Sequence, residues 1–143
     1  RLGLNEGDAR YGVIPTSNKD CGRMNCPFCD HSAAYMRSDL ALARFDAYPV
    51  TCGHTLVTTT RHISSYFDCS KEEKKELWAL VDSVKTHLSD LFQPTAFNVG
   101  INAGLDAGQT VMHVHIHVIP RYRNDMKDPR GGVRGVIPER QKY

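Results

Sequence analysis

The sequence predicts an α+β domain, a five-stranded antiparallel sheet with one long helix packed on it. Three observations predict it. In His113-Val114-His115-Ile116-His117-Val118-Ile119 polar and apolar residues alternate at the period of a strand. Residues 70–91 carry helical periodicity behind a capping signal. Short runs at 33–37, 40–46, 54–60 and 96–101, several of them β-branched or aromatic, are separated by Gly, Pro, Asp and Ser. A chain of 143 residues is one domain by length. Its expected parts are an irregular N-terminal arm (1–25), the main domain (26–121) and a basic segment (122–143) belonging to the same domain.

The arm is polar, and Tyr11-Gly12-Val13-Ile14-Pro15 is its one apolar patch. Residues 33–37 and 40–46 read as two strands about a Ser38-Asp39 turn. His54-Thr55-Leu56-Val57-Thr58-Thr59-Thr60 is a third, rich in β-branched residues. Ser70 and Glu73 form a capping box for a helix over 71–91. Its core stripe is Leu77, Leu80, Val81, Val84, Leu88 and Leu91. Residues 72–76 read as a solvated face, Trp78 as packing, and Gln93-Pro94 as the stop. Ala96–Ile101 is a fourth strand feeding a Gly-rich loop, and the histidine stretch is the fifth.

Hydrophobic content of 41% and charged content of 24% are ordinary for a globular protein. A net charge of +2 is too weak to argue for nucleic-acid binding. No apolar run reaches membrane-span length and Arg1–Asp8 does not read as a signal peptide. The five cysteines, an odd count, argue against a disulfide framework, so a reducing cytoplasm is the expected setting.

On a strand, His113, His115 and His117 share one face, each about 6.6 Å from the next. Val114, Ile116 and Val118 then point to the core. Three readings compete: a polar face satisfied by neighbours, a metal site built on His-x-His, and a nucleophilic imidazole between two helpers. Strict alternation disfavours the first. The loop Asn102-Ala103-Gly104-Leu105-Asp106-Ala107-Gly108-Gln109-Thr110 favours the third, because glycines let backbone N–H groups close on an anion. Cys26-Pro27-Phe28-Cys29 is open in the same way, between a redox pair, a zinc knuckle and two buried thiols.

The histidine stretch, with Gly108-Gln109-Thr110 before it, resembles the signature of the histidine triad (HIT) superfamily, and the resemblance covers roughly residues 26–121. It implies a HIT-like fold that pairs as a homodimer, in the zinc-bearing bacterial-type branch. Phe45-Asp46-Ala47-Tyr48-Pro49-Val50-Thr51-Cys52-Gly53-His54 is similar to another family segment, and there Asp46 would accept the ribose hydroxyls. The plain alternative for Asp46 is a strand-end cap. The resemblance further implies that His115 attacks an α-phosphorus, with the His113 carbonyl orienting its ring and His117 and Gln109 assisting. Asn102, Gly108, Gln109, Thr110 and His117 would hold ribose or phosphoryl oxygens, and His54 would support the triad. Cys26, Cys29, His62 and His113 would hold a structural zinc. The implied substrate is a nucleotide, adenine favoured and a dinucleoside polyphosphate foremost, with Mg²⁺ entering only alongside it. The basic, Gly-rich stretch 123–138 reads either as a solvated tail or as a lid in which Arg130 and Arg134 meet polyphosphate oxygens. A nucleoside phosphoramidase, a nucleotide-binding adaptor and a metallohydrolase with zinc on the triad are the alternatives.

Overall fold

The structure, a computed structural model, describes residues 26–143. The expected arm at 1–25 lies outside the described residues. Five strands, β1 (Met36–Arg37), β2 (Ala41–Phe45), β3 (Thr55–Thr59), β4 (Ala96–Ile101) and β5 (His115–Arg121), form one sheet in the order β1-β2-β3-β5-β4. Every pairing is antiparallel. The helix α1 (Lys71–Phe92) crosses between β3 and β4 and packs on one face. No described helix is long and apolar enough to cross a membrane.

The period of two divides the sheet cleanly. Ala41, Ala43, Val57, Ile116 and Val118 meet Leu77, Leu80, Val81, Val84 and Leu88 of α1 in one core. The alternate residues face the other way. There β3 and β5 are in register so that Thr58 lies opposite His115 and Leu56 opposite His117, with Gly100 of β4 on the far side of His117. The face without the helix therefore carries the histidines.

The sequence reading differs from the structure in four places. Ala33 and Ala34 lie in a turn, Ala34 N–H donating to His31 O, so the first strand shortens to two residues. His113 precedes β5 rather than beginning it. Leu91 is 53% exposed, and Phe92, four residues after Leu88, takes its place against the core, as a 3.6-residue period directs. Glu73 is buried rather than solvated. It accepts from Arg61 at 3.0 and 3.1 Å and from the Ser70 N–H at 2.8 Å, while Ser70 Oγ accepts from Glu73 N–H. The capping box is complete, and Gln93 closes the helix in a left-handed conformation.

Candidate active site and metal centre

The three histidines occupy three different settings, and their hydrogen bonds assign a tautomer to each. His113 is fully buried. Its Nε2 lies 2.8 Å from Thr59 O, which can only accept, so Nε2 holds the proton. Nδ1 then presents its lone pair to Cys26 Sγ at 3.5 Å and Cys29 Sγ at 3.7 Å. His62 Nδ1 lies 3.3 Å from Cys29 Sγ. The four ligand atoms all fall within 4.8 Å of one another. In a tetrahedral zinc site with Zn–S near 2.3 Å and Zn–N near 2.0 Å, the S···N edge is about 3.5 Å. The observed edges match it, and the donor set of two sulfurs and two imidazoles suits zinc. Burial pushes His113 down to about 4, the state a ligand needs. Against the expectation from cysteine count, Cys29 is disulfide-bonded. Cys26 is a free thiol, so that bond is not within the four candidate ligands, and zinc coordination takes Cys29 in its reduced form.

His115 Nδ1 lies 2.8 Å from the carbonyl of His113, so Nδ1–H donates and Nε2 keeps the lone pair. The Phe28 ring, inside the Cys-x-x-Cys loop, packs edge-on against His115 with centroids 5.1 Å apart. Phe28 is held from below. The Arg44 guanidinium, only 7% exposed, donates to the carbonyls of Pro27 (2.9 Å), Phe28 (3.4 Å) and Asp30 (2.6 Å) and sits 5.5 Å from the Phe28 ring centroid. Sequence reading missed both residues. The available signal was a charge inside the otherwise apolar strand Ala41-Leu42-Ala43-Arg44-Phe45.

His117 Nδ1 meets His54 Nε2 at 3.0 Å. Val50 N–H donates to His54 Nδ1 at 3.2 Å, so the His54 proton sits on Nε2 and is given to His117. His117 is left with an Nε2–H donor. Burial, with His115 and His54 adding to it, holds His117 down to about 4, so it is a neutral donor at neutral pH. Asp46 Oδ2 stands 3.5 Å from His54 Nε2, while Oδ1 caps the following turn by accepting from Tyr48 N–H. Asp46, His54 and His117 also have ligand atoms within 4.8 Å of one another. Their protons argue against an ion there: with Val50 N–H on Nδ1, neutral His54 has no lone pair on Nε2 to offer.

The Gly loop is pinned by Gln109. Its Nε2 donates to Ser64 O (2.7 Å) and Val111 O (3.1 Å), and Oε1 accepts from Gly104 N–H (2.8 Å). The side-chain amide is spent on the loop. Gln109 is thus a positioning residue, and its expected contact with phosphoryl oxygens is not the arrangement found. Gly108 takes a left-handed φ of 86°, and Thr110 beside it is exposed. Asn102 and Asn98 line a cavity of about 370 Å³ beside His117. Arg130 is bound to Asp128, and Arg134 donates to the backbone of Arg140 and Gln141, so neither lines that cavity as a phosphate contact.

The sequence pattern of the HIT domain matches residues 30–124. The chain belongs to the HIT family. It is 36% identical over 97 residues to the asymmetrical bis(5'-nucleosyl)-tetraphosphatase of Schizosaccharomyces pombe, a match covering 68% of this chain and 53% of that protein. The chain therefore spans about half the length of that relative. Its fold is similar to the crystal structure of a HIT family protein from Bacillus anthracis, with TM-score 0.67 and 33% identity over 71% of this chain and 77% of the other. A zinc-bound histidine triad family protein from Mycobacterium smegmatis superposes with TM-score 0.64 at 33% identity, covering 73% and 79%.

Proposed function

We propose that the protein hydrolyses dinucleoside polyphosphates through a nucleotidyl-histidine intermediate on His115. The observation carrying this reading is the buried His115 ring: one nitrogen is tied as a donor to the His113 carbonyl, which leaves the lone pair on the other, on the sheet face that the helix does not cover. Neutral imidazole in that tautomer is a competent nucleophile. Its Nε2 attacks the α-phosphorus in line, and the bond from that phosphorus to the bridging oxygen breaks. The remaining nucleoside phosphate departs as the leaving group. Water then attacks the same phosphorus, the P–Nε2 bond breaks, and a nucleoside monophosphate and neutral His115 are recovered. His117 Nε2–H and the exposed Thr110 hydroxyl stabilise charge spreading onto the phosphoryl oxygens, while the Gly108 and Gln109 N–H groups donate to Leu105 O and Gly104 O and hold the turn in shape. Asp46 and Asn102 hold the ribose. His113 contributes its carbonyl and not a proton, since both its ring nitrogens are engaged. The similarity to a tetraphosphatase supports the substrate class.

Zinc, held by Cys26, Cys29, His62 and His113, is structural: four protein ligands leave no open position. It would fix the loop bearing Phe28. The similarity to a zinc-bound relative supports this, as does the donor geometry. Two further parts of the reading are that the chain pairs as a homodimer and that Mg²⁺ accompanies only the substrate.

The test is trapping. The reduced protein is incubated with a labelled dinucleoside tetraphosphate, quenched in base and digested. An acid-labile adduct on His115 is expected, with His115→Asn still binding nucleotide but forming none. An active His115→Asn protein overturns the mechanism. Absence of turnover by the unaltered protein, with binding retained, points to an adaptor. One zinc per chain is expected by elemental analysis, unchanged in His115→Asn.

A further inference from the structure

The cavity beside His117 is built differently from a phosphate site. It lies between the half-buried middle of β4 and β5 and the short turn Gly132–Val136, and Val50, Val99, Ile119, Val133 and Val136 make its apolar walls. Asn98, Asn102, His54 and His117 supply the polar atoms, and among the described residues no Arg or Lys lines it. The turn is anchored rather than loose. Within it Arg134 donates to the carbonyls of Gln141 at 3.2 Å and Arg140 at 3.0 Å. A Cβ on Gly132 would stand 3.3 Å from Asn98 Nδ2, so the turn rests directly on β4. Val133 and Val136 are 61% and 73% exposed, apolar surface left open around this hollow.

Resting on the hydrolase reading above, we infer that this cavity receives the nucleoside of the leaving nucleotide, with Val133 and Val136 setting preference for that half of the substrate. His117 lines it and His115 does not. In-line attack by His115 puts the departing oxygen on the side of phosphorus away from that ring, so the cavity starts beyond the point of attack. Of the residues given to the retained nucleotide in that reading, Asp46 and Gly108 do not line it, while Asn102 and His117 do, so the cavity meets that nucleotide's site at those two. A hollow of about 370 Å³ is at the low end of the range for ligand sites, which suits one nucleoside. Walls without cations and with two carboxamides suit an uncharged heterocycle with hydrogen-bonding edges, not a polyphosphate chain.

Two substrates with the same retained nucleotide separate the possibilities: a dinucleoside tetraphosphate and a nucleoside 5'-phosphorimidazolidate, whose leaving group is too small to reach the turn. In Val136→Glu and Val133→Glu, kcat/KM for the dinucleotide is expected to fall about tenfold or more, because a carboxylate replaces an apolar wall. Turnover of the imidazolidate should stay within twofold of the unaltered protein. Equal loss on both substrates, or no loss on either, overturns the assignment. Failure of the unaltered protein to turn over either substrate overturns the hydrolase reading and this inference with it.

Discussion

Replacing Arg44 by Met tests whether a buried cation bonded to backbone carbonyls organises the site. Met keeps much of the length and removes the charge and all donors. The bonds to Asp30 O at 2.6 Å and Pro27 O at 2.9 Å are well formed, and the one to Phe28 O at 3.4 Å is weak. Hydrogen bonds from a charged donor contribute about 1.5–3 kcal/mol each. Two good ones and a weak one give a gross loss of about 5 kcal/mol. Burial opposes this, because the guanidinium is 7% exposed and its desolvation lowers the Arg44 pKa. Some of the freed carbonyls also regain water, as this loop lies at the edge of the domain. The net expectation is a loss of about 3 kcal/mol in urea unfolding of the zinc-loaded protein. Zinc should pass to a chromogenic chelator faster, because the clamped carbonyls belong to the loop between and beside Cys26 and Cys29. Arg44→Lys should recover only part, since one ammonium cannot reach acceptors spread along the loop. A loss below about 0.5 kcal/mol together with unchanged zinc transfer would refute the clamp.

Glu73→Ala removes the reciprocal half of the capping box and the pair with Arg61; with Arg61 59% exposed, the expected cost is about 1–2 kcal/mol, read as a lower urea midpoint at unchanged slope. His117 titrates near 4 in the fold against an ordinary 6.5, so the fold favours its neutral form. That contribution is fully present above pH 6.5 and is lost as pH falls from 6.5 toward 4. The unaltered protein should therefore lose more stability over that window than His117→Asn, and parallel stability curves for the two would contradict the assignment.

Most of the fold was legible because the hydrophobic period was undisturbed where packing is densest. The helix boundary at Lys71 followed from Ser70 and Glu73, and the strands at 41–45, 55–59 and 96–101 sit within or at the expected limits. What failed depended on partners distant in sequence. Glu73 was legible as the far half of the capping box but not as a buried group, which its pairing with Arg61 makes it. Gln109 looked like a substrate contact because its neighbours are glycines, but its amide is consumed by Ser64 O, 45 residues away, and by its own loop. Arg130 and Arg134 looked like phosphate ligands from charge alone, yet Asp128 and the backbone of Arg140 and Gln141 satisfy them. The four candidate zinc ligands do converge, although only the resemblance to a family linked Cys26 with His113, 87 residues on.

The place where β5 begins explains how zinc and nucleophile are joined. Had His113 lain in the ladder, its carbonyl would have been turned to a neighbouring strand, as those of regular strands are. Instead the ladder with β3 stops at the Thr58–His115 pair. One residue further along β3, Thr59 gives its carbonyl to the His113 ring rather than to backbone. His113 N–H turns back to Val111 O at 2.8 Å, and Val114 N–H goes to Ile63 O at 2.7 Å. The His113 carbonyl is thereby released for His115 Nδ1–H. A metal on His113 Nδ1, opposite the Thr59 bond on Nε2, would fix that ring from both sides and its backbone with it. A zinc there would need no contact with substrate to matter: by holding His113 it would hold the proton on His115 Nδ1, and with it the lone pair on Nε2.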